Sequence, residues 1–123
     1  MKKVFLCFLD AFEGFGEINQ KIKEKLLSEY VDFNITEIYT MKISIEKIKA
    51  GDTPDILVII DLPGISGAKL LIEQIFKNVD IVPEIKVICN DEETIKQVHN
   101  LGIENVKKVT DVLEVRQREL EIF

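Results

Sequence analysis

Two aspartates stand at the ends of apolar runs, where their carboxylates are best placed for metal chemistry. Asp10 follows the run at residues 4–9, and Asp61 closes the run at residues 55–61. Carboxylate oxygens are the ligands that Mg²⁺ prefers in proteins. If the two runs are neighbouring strands, Asp10 and Asp61 together form a weak candidate Mg²⁺ site, in which water supplies the remaining ligands.

The loop at residues 10–16 offers a second chemistry, because its two glycines allow backbone amides to approach a phosphate or another small ligand. A dinucleotide-binding fingerprint needs a third glycine, and Asn19 stands at that position here. The glycines of the fingerprint also follow the strand directly, whereas the two glycines here come several residues after it. Nucleotide binding is therefore not favoured, whereas a small-ligand or phosphate site in this loop stays open as an alternative.

The composition is typical of one ordinary globular domain, which we place at residues 1–123. The chain is 46% hydrophobic and 31% charged, and its formal net charge is −6. A net acidic domain repels the nucleic-acid backbone, so direct nucleic-acid binding is not expected. No stretch approaches the roughly 18–20 apolar residues of a membrane span, and no signal peptide is recognised. We therefore expect a cytoplasmic location without membrane contact.

The two cysteines are predicted to be buried thiols. Cys7 and Cys89 both lie inside apolar runs, where a free cysteine behaves as a small apolar residue. A disulfide between them requires that their strands lie close together. His99 has no nearby cysteine pair, so no zinc site is indicated.

Strands and helices alternate along the whole chain. Apolar runs predict strands at residues 4–9, 33–38, 55–61, 85–89 and 105–109. Helical spacing predicts helices at residues 17–30, 43–50, 66–78, 91–101 and 110–123. This order predicts a flavodoxin-like α/β three-layer sandwich, with a five-stranded parallel sheet in the order 2-1-3-4-5 and helices on both faces. Sites in this fold lie at the carboxyl ends of strands 1 and 3, which again indicates Asp10 and Asp61.

Residues 54–71 resemble the third strand and the following loop of receiver domains, the response-regulator modules of two-component phosphorelay signal transduction. Their sequence is PDILVIIDLPGISGAKLL. Residues 101–106, with the sequence LGIENV, are similar to the turn before strand 5 of that family. The resemblance implies an aspartate that accepts a phosphoryl group with the help of Mg²⁺. It also implies a Thr or Ser after strand 4 and a Lys after strand 5 that bind the phosphoryl oxygens.

The acceptor position of the family does not fall on an aspartate here. It falls on Ile59 when counted back from Pro63, and on Ile60 when counted forward from Pro54. Asp61 serves as the acceptor only if the following loop is two residues shorter than usual.

The other functional positions of the family are also altered. The acidic pair after strand 1 keeps only its second member, Asp10, and Asn90 stands where the family has Thr or Ser. The lysine after strand 5 falls on Val109, with Lys108 adjacent. The candidate site residues are therefore Asp61 as phosphoacceptor, Asp10 and Asp61 as Mg²⁺ ligands, and Asn90 and Lys108 as switch-like positions.

These four departures from the receiver pattern together favour a pseudo-receiver, that is, a receiver-like domain whose phosphorylation site is altered or lost. The hypothesis is a receiver-like signalling module that is not an enzyme, requires no cofactor and acts by protein–protein interaction independently of aspartyl phosphorylation. Two alternatives stay open: an active receiver phosphorylated at Asp61 with Mg²⁺, and a small-ligand or phosphate-binding flavodoxin-like protein. The resemblance implies a protein partner or a homodimer, bound through the last two helices and the fifth strand.

Overall fold

Five strands and five helices alternate in the structure, a computed structural model that describes residues 2–9, 16–64 and 66–114. The strands are β1 Lys3–Phe8, β2 Asn34–Ile38, β3 Ile56–Asp61, β4 Glu84–Cys89 and β5 Val106–Lys108. The helices are α1 Gly16–Glu29, α2 Met41–Lys49, α3 Gly67–Asn78, α4 Glu92–Asn100 and α5 Val109–Leu113. None of these described helices is long and apolar enough to cross a membrane.

The strands form one parallel sheet in the order β2-β1-β3-β4-β5, which confirms the predicted flavodoxin-like fold. All six residues of β3 are buried, as required of a central strand that helices cover on both faces. The register places Ile60 of β3 beside Phe8 of β1 and Ile88 of β4. The second strand, β2, lies at an edge of the sheet, and Ile38 is its only fully buried residue.

Two apolar layers, one on each face of the sheet, form the core. Successive side chains of a strand point to opposite faces, so Ile59 and Ile60 enter different layers. Ile60 packs in the layer that holds α1 and α5, and Ile59 in the layer that holds α2, α3 and α4. In α1 the buried residues Ile18, Ile22 and Leu26 are four apart, which places them on one face of the helix.

A glycine terminates α2. Gly51 has a φ of +86°, and its N–H donates to the carbonyl of Ile48 at 3.0 Å. The N–H of Asp52 donates to the carbonyl of Lys47 at 3.0 Å, which completes a Schellman-type helix end. A methyl group at Gly51 would meet nothing within 4 Å, so its backbone conformation alone requires glycine there.

The end of the chain differs from its prediction in two ways. Val109 was predicted to close the fifth strand, but it begins α5, and its side chain is 1% exposed in the layer beneath α1. The last helix was predicted to continue through residue 123, but α5 ends at Leu113, where Glu114 has a φ of +57°. A left-handed residue cannot continue an α-helix, so the periodicity of the apolar residues overstated its length. Residues 115–123 lie outside the described residues.

The two thiols lie apart. Both are buried and free, and β3 separates Cys7 in β1 from Cys89 in β4. Two strand spacings amount to about 9–10 Å, which exceeds the Cα separation that a disulfide spans. The disulfide that the sequence left open is therefore excluded by the strand order.

Candidate functional site

Asp61 ends β3 with its carboxylate turned into the protein. The residue is 1% exposed. Its Oδ1 accepts the N–H of Gly64 at 3.2 Å, and its Oδ2 accepts the N–H of Ala68 at 3.0 Å. The first turn of a helix carries N–H groups without intrahelical partners and favours negative charge. Asp61 thus ties the Pro-Gly loop and the start of α3 to the end of β3, as a strand-end cap.

Apolar side chains occupy the positions where receiver domains carry their acceptor and their first metal-binding acid. Ile59 is 0% exposed and Ile60 is 1% exposed, so both possible acceptor positions belong to the core. Leu9 stands at the first acidic position after β1, and its side chain packs against the layer beneath α2, α3 and α4. Its Cδ1 would lie 3.2 Å from a methyl group added at Gly67. Among the described residues, these positions hold apolar side chains that pack in the core, where receiver domains have carboxylates.

The Pro-Gly loop after β3 is docked on the start of α4. Gly64 has a φ of +66°, and a methyl group on it would lie 2.5 Å from Oδ1 of Asp91. Asp91 is the N-cap of α4: its Oδ2 accepts the N–H of Thr94 at 3.1 Å, and its Oδ1 accepts the Thr94 hydroxyl at 2.7 Å. Ser66, which also has a positive φ of 65°, accepts a hydrogen bond from Nε2 of Gln97 at 3.1 Å. We call Gly64, Ser66, Asp91, Thr94 and Gln97 the loop–α4 clamp.

The two switch-like positions are found at the ends of β4 and β5. Asn90 follows β4, and its Oδ1 is buried without a hydrogen-bond partner among the described residues. Lys108 ends β5, and its Nζ forms an ion pair with Oε1 of Glu92 in the first turn of α4. The hydrogen bond to Glu92 raises the pKa of Lys108. The side chain of Lys108 is thus already engaged on the α4 side, while the matching family position, Val109, is buried.

The described residues fit a Mg²⁺ ion poorly. Both oxygens of Asp61 already accept backbone N–H groups and the residue is 1% exposed, so a metal could bind its remaining lone pairs only if the residues that cover it moved. Among the described residues, no group of three or more His, Cys, Asp or Glu side chains is placed to hold a metal. Asp10 and most of the loop at residues 10–16 lie outside the described residues. The metal site and the small-ligand site therefore stay predictions.

A polar network fixes the neighbouring edge of the sheet. Nζ of Lys23 in α1 pairs with Oε1 of Glu37 in β2 at 2.7 Å, and the Tyr39 hydroxyl donates to the same oxygen at 2.6 Å. The bond from Lys23 lowers the pKa of Glu37, and the bond to Glu37 raises the pKa of Tyr39. The Tyr39 ring stacks on Phe8 with a centroid distance of 5.3 Å. These contacts hold α1 and β2 against the end of β1.

The two thiols near this end of the sheet are poor nucleophiles. Burial raises the pKa of Cys7 to about 12, against a smaller lowering by a hydrogen bond with Ser44. Burial likewise raises the pKa of Cys89 to about 11. A thiol with such a pKa is almost entirely protonated at neutral pH, so neither cysteine is suited to covalent catalysis.

Part of this arrangement was visible in the sequence. An aspartate followed by two glutamates, as at residues 91–93, is typical of a helix start, and the structure places the N-cap of α4 at Asp91. The docking of Gly64 on Asp91 and the bond between Ser66 and Gln97 were not predicted. Proline followed by glycine indicates a turn with a positive φ, but it carries no information on which distant side chain the glycine meets.

The fold is similar to two crystal structures of proteins named for pilus assembly. One, named for CpaE2 of Sinorhizobium meliloti 1021, has a TM-score of 0.63 and 12% identity over 91% of this chain and 94% of that chain. The other, CpaE of Caulobacter crescentus CB15, has a TM-score of 0.52 and 12% identity over 93% and 95% of the two chains. At this identity the likeness shows a common fold. Neither a protein-family model nor a curated protein matches the sequence.

Proposed function

We propose that this chain is a receiver-like module that acts by binding another protein, without aspartyl phosphorylation, a metal or catalysis. One observation carries the proposal. The two possible acceptor positions hold the core residues Ile59 and Ile60, while the nearby carboxylate of Asp61 is bonded to two backbone N–H groups.

The chemistry of phosphoryl transfer explains why this observation matters. An acceptor carboxylate needs an oxygen that reaches the phosphorus in line with the leaving group, beside a metal that neutralises the charge. Asp61 is 1% exposed and both of its oxygens are bonded to backbone N–H groups, so a phosphoryl donor would reach it only if the residues that cover it moved. If that movement also broke one of the two bonds, the buried N–H left without a partner would cost about 1–3 kcal/mol. The same bonds are well explained as the structural cap of α3.

The proposed partner surface consists of α4, β5 and the described part of α5. The large apolar side chains that are exposed among the described residues all lie elsewhere: Val31, Tyr39, Ile43, Leu70, Phe76, Ile81 and Val82. The α4 side of this surface instead presents charged groups, including Glu92, Glu93 and Lys108. Homodimer interfaces are on average more apolar than the rest of a protein surface. A polar, salt-sensitive contact with a different protein therefore fits this surface better than a homodimer.

The setting we propose is cytoplasmic, because free buried thiols such as Cys7 and Cys89 are typical of a reducing compartment. The two similar crystal structures come from proteins named for pilus assembly. Components of such an assembly are therefore the first class of partner to test.

Intact-mass spectrometry after incubation with acetyl phosphate and Mg²⁺ tests the proposal. Wild type and Asp61→Asn are compared, with an active receiver domain treated in parallel to validate the phosphoryl donor. We expect no added phosphoryl group on either form of this protein. One phosphoryl group on the wild type, absent from Asp61→Asn, would overturn the proposal and identify Asp61 as a working acceptor.

A further inference from the structure

A groove of about 520 Å³ lies at the amino ends of β3 and β4, at the opposite end of the sheet from the candidate site. One wall is the chain that leads from α2 into β3, including Pro54 and Asp55. The other wall is the connection between α3 and β4, including Ile81, Val82 and Pro83. No residue that the sequence indicated as functional belongs to this groove.

The connection between α3 and β4 presents apolar side chains that the rest of the described protein does not cover. Ile81 is 85% exposed and Val82 is 42% exposed. Exposed apolar residues that occur singly are ordinary, but neighbouring ones beside a groove are typical of an interaction site.

The charge around the groove is predominantly negative. Asp55, Asp80 and Glu84 line it, against one lysine, Lys49, among the described lining residues. Asp55 accepts the backbone N–H of Lys3 at 2.7 Å, which leaves its negative charge unpaired by a side-chain cation. Asp80 and Glu84 are exposed, and neither takes part in the ion pairs that the described residues form. A cationic group that entered the groove would therefore meet carboxylates that no other ion pair occupies.

We propose that this groove binds a segment of a partner protein in which an aliphatic or aromatic side chain stands next to lysine or arginine. The apolar side chain would cover Ile81 and Val82, and the cation would face Asp80 and Glu84. A second copy of this chain fits less well, because symmetric contact would bring the same carboxylates together. An anionic membrane is repelled by the same charges. This inference does not depend on whether the module is phosphorylated.

The test begins with selection from a random peptide display library on the intact, immobilised protein. We expect the enriched peptides to combine an apolar residue with an adjacent lysine or arginine. The best peptide is then synthesised with a fluorophore, and its Kd is measured by fluorescence polarisation. Failure to enrich any peptide, or enrichment of acidic peptides, would overturn the proposal.

Two pairs of variants locate the binding site. Ile81→Ser should raise the Kd about tenfold, since it removes an aliphatic side chain from the contact. The matched control Val31→Ser, at a residue that is 74% exposed after α1, should leave the Kd unchanged. Asp80→Lys combined with Glu84→Lys should raise the Kd further, while the same change of charge made at Glu24 and Glu46, which are exposed and lie outside the groove, should have a smaller effect.

Binding of the other possible occupants, an anionic membrane or a second copy of this chain, is measured with the same variants. Sedimentation of the protein with vesicles of anionic phospholipid, or dimerisation in light scattering, would count against the proposal if Ile81→Ser abolished it. Equal loss of peptide binding in Ile81→Ser and Val31→Ser would also contradict it. Because each substitution lies on the surface, circular dichroism and thermal melting should confirm that all variants remain folded.

Discussion

Replacing Gly64 with alanine should destabilise the protein more than any ordinary glycine-to-alanine change. Gly64 has a φ of +66°, and the added methyl group would lie 2.5 Å from Oδ1 and 2.9 Å from Cγ of Asp91. Asp91 is not a freely moving side chain, because two hydrogen bonds to Thr94 hold it in place. The substitution therefore forces the loop–α4 clamp to open.

The magnitude follows from three contributions. Alanine in the left-handed region costs roughly 1–2 kcal/mol. Displacing Asp91 removes the N-cap of α4, which costs about 1 kcal/mol. The Thr94 hydroxyl, in a residue that is 1% exposed, loses its acceptor at a cost of at least about 1 kcal/mol. We expect the free energy of unfolding to fall by about 3–4 kcal/mol in all.

Urea denaturation of wild type, Gly64→Ala and Gly51→Ala measures this difference. Gly51→Ala is the matched control, because Gly51 also has a positive φ but open space where the methyl group would lie. The free energy of unfolding of Gly51→Ala should fall only by the cost of placing alanine in the left-handed region, roughly 1–2 kcal/mol. In an Asp91→Ala background, Gly64→Ala should cost no more than Gly51→Ala, since the atom it collides with is gone.

Equal destabilisation by Gly64→Ala and Gly51→Ala would refute this reasoning. So would an undiminished cost of Gly64→Ala in the Asp91→Ala background. Either result would mean that the loop does not press against the cap of α4. The m-values must agree among the variants, so that the comparison concerns stability and not a change in the unfolded state.

Two further predictions concern the polar network and the thiols. Lys23→Met should raise the pKa of Glu37 toward its ordinary value in an NMR titration, whereas Lys25→Met should leave it unchanged, because the Lys23 hydrogen bond lowers this pKa. The pKa of Glu37 is lower in the folded state than in the unfolded state. The Lys23–Glu37 pair therefore stabilises the folded protein fully above the ordinary pKa of glutamate, and this stabilisation is lost as the pH falls through the folded-state pKa of Glu37. The native protein should not react with Ellman's reagent at mildly alkaline pH, because burial raises the pKa of Cys7 to about 12 and that of Cys89 to about 11. Both thiols should react after unfolding in guanidinium chloride, and rapid labelling of the native protein would contradict their burial.

The sheet order could be predicted because it depends on patterns that the chain carries locally. β1 and β3 are almost wholly buried, and such strands appear in the sequence as short, continuous apolar runs, which lack the three-to-four-residue spacing of an amphipathic helix. Glycine marked the end of α2, because the backbone at Gly51 has a positive φ. Once strands and helices alternate, the handedness of the crossovers leaves few strand orders to choose from.

The candidate site could be predicted only in part, because its decisive contacts join distant residues. Gln97 reaches Ser66 across 31 positions of sequence, and Gly64 meets Asp91 only because β4 lies beside β3. The register of the receiver motif was ambiguous in the sequence between Ile59 and Ile60. The structure shows that both are core residues on opposite faces, so neither counting scheme yields an exposed acceptor.

The proposed function excludes phosphorylation, so any change of the proposed binding surface would have to come from another event. A ligand or modification shifts a conformational equilibrium only as far as it interacts differently with the two states. At the carboxyl end of the sheet, three of the described polar side chains make local bonds: Asp61 caps α3, Asp91 caps α4 and Lys108 pairs with Glu92, whereas the buried Oδ1 of Asn90 has no hydrogen-bond partner among the described residues. These bonds favour one position of α4 before any signal arrives. A partner that recognises α4 and β5 would therefore find the surface already formed, and regulation would have to act through the supply or the affinity of that partner.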